Sequence, residues 1–428
     1  MQVMPSLLRL ALFHGAYMKC DADYRYAPLD TESLRLITEN WDHIRLKLAG
    51  DALPQYDVFT GLHFDHSKFA SWLQQRGLDK VWPRTEKSGA YRTAKEAWES
   101  MATAGHDIEE LHQLHDTVTM PRFNPACDLD GRNRLLLGAM STITSRNAPG
   151  NDKERGSYIF ACPKWTRFLI RPPKGWGLFY LDWSAQEHGI SAILSGDKNM
   201  LQSYESGDPY MSFAILAGAA PPGASKSTHP TIRRLYKTAS LAISYGQEVH
   251  AFAARAKVPL RTAERVFADY ERLYHRFLSW RSRIVDNFHA SESPHLTTKL
   301  GWTLHQGVRT EGARWKTLLN FRQQSTGAGM LQIAVIRMMS KGVEVCCPVH
   351  DAILGQAPIQ YIEETAALAG EAMDSASAAL LDGYVLRRDT EVFRYPGRFV
   401  HSDGQAMWDK VSPILQELRE DSCLTTSA

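Results

Sequence analysis

Two short apolar runs, each meeting an aspartate, lie far apart in this 428-residue chain and constrain its fold more than any other feature. The first, Leu178-Phe179-Tyr180-Leu181 after Gly175 and Gly177, reads as a buried strand that ends at Asp182. The second, Val343 to Leu354, is apolar on both sides of His350-Asp351, which predicts a hairpin with that pair at its turn. Between them, residues 206–300 read as almost wholly helical, punctuated by Pro221-Pro222-Gly223 and Pro259, and a further helix is expected near 324–340. A sheet that takes in both runs must accommodate this helical insert. It can then bring together two aspartates 169 positions apart.

Ahead of this core the chain predicts helices separated by turns. Asp30 is the expected N-cap of a helix carrying Leu34, Ile37, Trp41, Ile44 and Leu48 at helical spacing. Phe69, Trp72 and Leu73 mark a second helix, stopped by Gly77; a turn from Pro83 to Gly89 precedes a third over Lys95 to Met101. After Asp182, Ile190, Ile193 and Leu194 are spaced along one face of another.

Composition excludes several classes. With 44% hydrophobic and 22% charged residues the chain is globular rather than disordered or fibrous. No apolar run approaches the roughly 18 residues that cross a bilayer. Met1 to Met18, interrupted by Arg9 and His14, reads as a short amphipathic helix with no cleavage site after it. Six cysteines without CxxC or zinc spacing point to reduced thiols and a cytoplasmic setting.

A net charge of +2 conceals a strong local bias. Lys226 to Arg283 holds twelve Lys/Arg against four Asp/Glu, a balance of +8, which leaves −6 for the remainder. Lys153, Arg155, Lys164, Arg167, Arg171 and Lys174 form a second basic stretch with Asp152 and Glu154 as its acids. Such concentration is the footprint of a protein that holds a polyanion. Within the first stretch Arg233, Lys237, Leu241 and Tyr245 recur every four residues, so neighbouring members share a helix face. Cations one turn apart can grip successive phosphates, and the apolar and aromatic members can meet a base. Gly246 would permit a close backbone approach to a template. A solvated basic stripe running into core residues has the same pattern; Asp182 and Asp351 are what favour phosphate binding.

These residues carry a resemblance. Asp182-Trp183-Ser184-Ala185-Gln186-Glu187 resembles the first polymerase motif of the family A DNA polymerases, the family of bacterial DNA polymerase I. Arg233-x-x-x-Lys237-x-x-x-Leu241-x-x-x-Tyr245-Gly246 resembles its fingers-helix motif, and Val349-His350-Asp351 its third motif. Thr144-Ser145-Arg146-Asn147 is similar to the segment touching the primer strand, and Asn320-Phe321-Arg322-Gln323-Gln324 to the one with a minor-groove glutamine. Trp82-Pro83-Arg84-Thr85 with Ser88-Gly89 resembles the thumb. Order and spacing agree from about residue 60 to the end.

The resemblance implies an α+β right-hand polymerase: mostly helical thumb and fingers around a small antiparallel-sheet palm. Residues 1–125 would hold an N-terminal helical region and the thumb, 126–205 the first part of the palm, 206–319 the fingers and 320–428 the second part. It implies two Mg²⁺ ions on Asp182 and Asp351, with Lys237 as the third catalytic group. Arg233, Lys237, Leu241, Tyr245, Glu187 and Tyr210 would bind the nucleotide; Arg146, Gly246, Gln324 and His350 would bind DNA. Primer-template DNA and dNTPs are the implied partners, for replication or repair, with no membrane and a monomeric state, and no exonuclease domain is expected ahead of the thumb.

Departures from the pattern are Ala352 for the usual Glu, Leu241 for an aromatic residue, Ala185 and Gly189 for Gln and Arg, Lys316 for Arg and Tyr210 for His. The His350-Asp351-Ala352 and Leu241 variants resemble a phage and proteobacterial branch. A single-subunit RNA polymerase and a catalytically dead remnant are the competing readings; Glu187 would fill the space of a ribose 2′-hydroxyl and argues against the first, and the retained Asp182, Asp351, Arg233 and Lys237 against the second. Asp30-Thr31-Glu32 has the form of an exonuclease opening but reads as a helix cap, since that site needs a buried strand before it and Asp21 to Tyr26 are polar and charged. His112 and His115 read as a helix surface, one of Cys346 and Cys347 as core-facing, and Trp302, Trp315 and Trp408 as packing.

Overall fold

The computed structural model describes residues 26–52, 54–134, 137–149, 156–305 and 314–426. The amphipathic segment 1–18 and the charges at 152–155 lie outside them. The chain forms two compact units, each assembled from separated stretches: 27–135 with 151–175 and 393–428, and 136–150 with 176–392.

In the first unit, α1 (Thr31–Glu39) is capped by Asp30, whose carboxylate accepts bonds from the Ser33 amide at 3.3 Å and hydroxyl at 2.8 Å. The single helix expected through Leu48 is two: the backbone leaves helical geometry at Asn40 (φ −114°, ψ 25°), whose side-chain Nδ2 donates to Leu36 O at 3.0 Å and caps the first helix. α2 (Trp41–Ala52) then restarts with Trp41 near Trp165 and Phe123. α3 (His66–Gln75), α4 (Lys95–Thr103) and α5 (Glu109–Thr119) follow, around an aromatic cluster of Phe69, Trp72, Trp82 and Trp98. His112 and His115 lie against Trp98 and both face Asp116, so they belong to this packing. Asp30 is 4% exposed and surrounded by Arg171, Arg398 and Arg419 at 3.5, 3.2 and 4.0 Å, joining three separate stretches of the chain.

The second unit is built on a four-stranded antiparallel sheet. β1 (Trp176–Trp183) carries Asp182 inside the strand rather than at its end. α6 (Gln186–Ser195), α7 (Lys198–Glu205), α8 (Pro209–Leu216), α9 (Pro230–Ser244), α10 (Val249–Ala256), α11 (Leu260–Leu273) and α12 (His275–Ala290) form the helical insert. The helical stretch ends earlier than expected: His295–Thr297 (β2) and Thr303–His305 (β3) form a hairpin. α13 spans Arg314–Ser340, well beyond 324–340. β4 (Glu344–Val349) and β5 (Ala352–Pro358) are the expected hairpin, followed by α14 (Ile362–Leu380) and β6 (Arg388–Arg394). The strand order is β4-β5-β1-β6.

One core joins Phe179, Leu181, Trp183 and Ile353 of the sheet to Met330, Met338, Ala369 and Met373 of α13 and α14. A second, around Phe213, Tyr236, Phe252, Tyr270 and Phe277, holds α8 to α12 together. Cys346 and Cys347 are both fully buried, not one of the two, at a register shift that interrupts the strand's alternation.

Candidate active site

Sheet register brings the two aspartates together. Asp182 pairs with Ala352 across β1 and β5, so Asp351 is one residue from its direct neighbour, and the Trp183 amide donates to Asp351 O at 3.3 Å. The turn is made by His350, whose φ of 55° lies in the left-handed region. Ala352, where a second carboxylate would be usual, is instead a fully buried strand residue.

Burial pushes the Asp182 carboxyl up to about 7, helped by Asp351, Asp389 and Glu391. Asp351 is also raised, again chiefly by burial, with His350 and Arg146 opposing. Asp182 Oδ1 is buried and has no hydrogen-bond partner among the described residues. A buried carboxylate oxygen with no donor and a second raised carboxylate beside it are ready to receive a cation. Among the described residues no group of three or more His, Cys, Asp or Glu side chains has metal-holding geometry. Asp389 and Glu391 on β6 were not singled out by sequence; acidic residues two apart on a strand share a face, but only the β1–β6 pairing brings them beside Asp182.

Glu187 sits in the first turn of α6, which starts from Ala185 in the left-handed region at φ 48°. It receives Arg146 Nη2 at 2.5 Å and the Tyr245 hydroxyl at 2.9 and 3.1 Å. Gln324 Nε2 donates to the same Tyr245 oxygen at 3.1 Å. Burial and then Glu187 raise the Tyr245 pKa. Four residues from four segments thus form one polar network. The loop that carries Arg146 is held to α13 by Gln332, which donates to Ser145 O at 2.8 Å.

On α9, Arg233 pairs with Asp208, the N-cap of α8. Tyr210 lies against two of the helix's three cations, with the Arg233 guanidinium 5.6 Å and the Lys237 ammonium 5.8 Å from its ring centre. Burial pushes its hydroxyl up to about 12. Leu241 and Tyr245 continue the row and are partly exposed. Arg281 of α12 donates to Ile243 O and Ser244 O at 2.9 and 3.0 Å, closing the C-terminal end of α9. Gly246 follows with φ 69°, and the space of its missing Cβ is taken by Leu319 and Trp315 of α13. The close approach there is thus to α13. Gly189 is likewise required by packing: a Cβ would stand 2.7 Å from Leu386 and 2.9 Å from Tyr204. Lys316 is exposed on α13.

An antiparallel palm-like sheet with one aspartate on a strand and one at the adjoining hairpin turn, interrupted by a helical insert bearing a basic helix, is the arrangement of a nucleic-acid polymerase domain. The model for DNA polymerase family A matches residues 153–385, and the chain belongs to that family. It is 25% identical over 312 residues to the thermostable DNA polymerase I of Thermus thermophilus, covering 68% of this chain and 37% of that protein. It is also 25% identical over 371 residues to the DNA polymerase of Mycobacterium phage L5, covering 83% of this chain and 57% of that one. The chain therefore spans between about a third and just over half of these relatives' lengths. The polymerase domain of Pol1 from M. smegmatis, solved with DNA primer-template and dNTP, shares the fold: TM-score 0.63, 20% identity, 94% of this chain and 70% of that one. The α+β polymerase fold expected from sequence is borne out, and no helix among the described residues is long and apolar enough to cross a membrane.

Proposed function

We propose that this chain is a template-directed DNA polymerase that extends a primer 3′-hydroxyl with dNTPs. The observation that carries the reading is the adjacency of Asp182 and Asp351 with an unpartnered, buried carboxylate oxygen. Two Mg²⁺ ions held by these carboxylates would lower the pKa of the attacking hydroxyl and neutralise charge on the leaving pyrophosphate. The chain's own groups do the rest. Arg233 and Lys237, one turn apart, bind the triphosphate, and Lys237 supplies a proton to the leaving oxygen. Tyr210 keeps both cations oriented through its ring face. Glu187, fixed by Arg146 and Tyr245, occupies the side of the sugar where a ribose would place its 2′-hydroxyl. Leu241 and Tyr245 pack against the incoming base, and Arg146, Gly246, Gln324 and His350 contact primer and template.

Within this reading, residues 1–125 supply the N-terminal region and thumb, 126–205 and 320–428 the palm, and 206–319 the fingers. Asp30 is not assigned a proofreading role, because its carboxylate is committed to capping α1 inside an arginine cage. Monomeric protein, cytoplasmic and acting in replication or repair, completes the proposal. Extension of a labelled primer-template with Mg²⁺ and either dNTPs or rNTPs tests it: dNTP-dependent, template-matched addition is expected. Preference for rNTPs would transfer the reading to an RNA polymerase, and absence of any addition would leave a binding remnant.

A further inference from the structure

None of the groups assigned to the chemistry lies on the β2–β3 hairpin. One face of this hairpin is apolar: Leu296, 5% exposed, joins Ile284, Phe288, Leu318 and Phe321 in a small core, with Leu304 packed against it. The alternation of a strand then carries His295, Thr297, Thr303 and His305 to the opposite face. The register sets His295 directly across from His305, and Thr297 across from Thr303. Side chains paired in this way start from Cβ atoms about 4.5–5.5 Å apart. Here they converge. The two threonine hydroxyls share a hydrogen bond of 2.9 Å, and the two imidazole centres are 6.2 Å apart with 31° between their planes.

The ring nitrogens are set up for a further partner. His295 Nδ1 lies 2.8 Å from Ser293 O. A carbonyl oxygen only accepts, so in the neutral ring Nδ1 carries the proton and Nε2 keeps its lone pair. A backbone carbonyl that fixes the tautomer through one nitrogen is the usual support of a histidine that binds a metal through the other. His305 makes no hydrogen bond or ion pair with any described residue and is free to turn toward its neighbour. Both rings are exposed, so their placement is not the packing of apolar bodies. His112 and His115 differ: they lie against Trp98 and are paired to Asp116.

We propose that His295 and His305 form a chelating site for a divalent transition-metal ion of the class that imidazole prefers, Zn²⁺, Ni²⁺ or Cu²⁺. Two bonds of about 2.0–2.1 Å in tetrahedral geometry put the bonded nitrogens about 3.4 Å apart and the ring centres about 5 Å apart. The rings reach this from 6.2 Å by closing about 1 Å, a small rotation of two exposed side chains. Water completes the coordination. Mg²⁺ prefers oxygen ligands and is not held here, so the hairpin and the Asp182–Asp351 pair sort ions by ligand type. A bound ion ties β2 to β3 and favours the closed hairpin over its opened forms. The site stands independently of the polymerase reading.

The probe is Cu²⁺–iminodiacetate, whose remaining positions favour a pair of imidazoles over the other histidines and the six thiols taken singly. Excess Mg²⁺ keeps the aspartates filled. Arg283 and Arg322 line a cavity together with His295 and oppose a cation, so the buffer carries about 0.15 M salt, which screens them beyond about 8 Å. Electron paramagnetic resonance should show two imidazole nitrogens on one copper in wild type and one at most in His295→Ala or His305→Ala. Calorimetric titration should show one equivalent bound at least about tenfold more tightly by wild type than by either variant. Zn²⁺ should raise the melting temperature of wild type and leave the double variant unchanged, with circular dichroism showing that the variants fold. A single coordinated nitrogen in wild type, equal affinity in wild type and double variant, or displacement of the probe by Mg²⁺ would overturn the proposal. The wild-type spectrum decides even where a variant misfolds.

Discussion

Replacing Asp182 with asparagine should make the protein more stable at pH 8 while abolishing its activity. The carboxyl is raised to about 7, first by burial and then by Asp351, Asp389 and Glu391. An acid with a folded pKa above its unfolded value of about 3.9 supports the fold fully below that value, and the support is lost as pH rises through about 7. About three units at about 1.4 kcal/mol each set a ceiling of about 4 kcal/mol on the cost of ionising it. An amide removes the charge but leaves a buried polar group without partners, which takes back about 1–3 kcal/mol. The expected net gain for Asp182→Asn at pH 8 is therefore about 1–3 kcal/mol, or a few degrees in melting temperature for a unit of this size. Thermal unfolding of both proteins at pH 5, 6.5 and 8, in buffer with a chelator, measures it. The gain should shrink as pH falls. A variant that melts at or below wild type at pH 8, or a difference independent of pH, would refute the reasoning.

Other substitutions address separate parts of the account. Burial alone would raise the Asp30 carboxyl, but the Ser33 bonds and the charges of Arg398 and Arg171 overcome it and hold the pKa below its ordinary value. Asp30→Asn should cost roughly 3–5 kcal/mol at pH 7 in a thermal melt; since wild type loses this support as pH falls through the lowered pKa, the two melting curves should converge in strong acid. Lys237→Ala should slow nucleotide addition far more than it weakens primer-template binding; equal losses, with a smaller salt slope, would mark a duplex-backbone contact. Glu187→Ala should raise rNTP use relative to dNTP by at least about tenfold, about 1.4 kcal/mol, in single-nucleotide addition; an unchanged ratio would remove the sugar gate.

The strand, the hairpin and the two aspartates were legible because apolar runs and a turn pair are local signals, and antiparallel pairing does the rest. The row on α9 was legible for the same reason: spacing by four is a property of the segment itself. What escaped depends on neighbours. Apolar spacing continues from Leu34 through Leu48, so the break at Asn40, where the backbone leaves helical geometry and the side chain caps Leu36 O, does not register in the periodicity. β2 and β3 are three residues each and mostly polar, too short to stand out from the helices before them. Asp389 and Glu391 gain meaning only from the pairing of β6 with β1. Trp315 reads as packing in the sequence, yet it is 47% exposed, although its ring also lies against Gly246. Gly189, a departure from the family pattern, has a steric cause that only the positions of Leu386 and Tyr204 reveal.

The central claim is that Asp182 and Asp351 together carry the chemistry, and Asp351→Ala tests it most directly. Primer extension by this variant should be lost, falling by several orders of magnitude, while anisotropy shows primer-template affinity within a few-fold of wild type. Extension at near wild-type rate, with binding intact, would contradict the assignment.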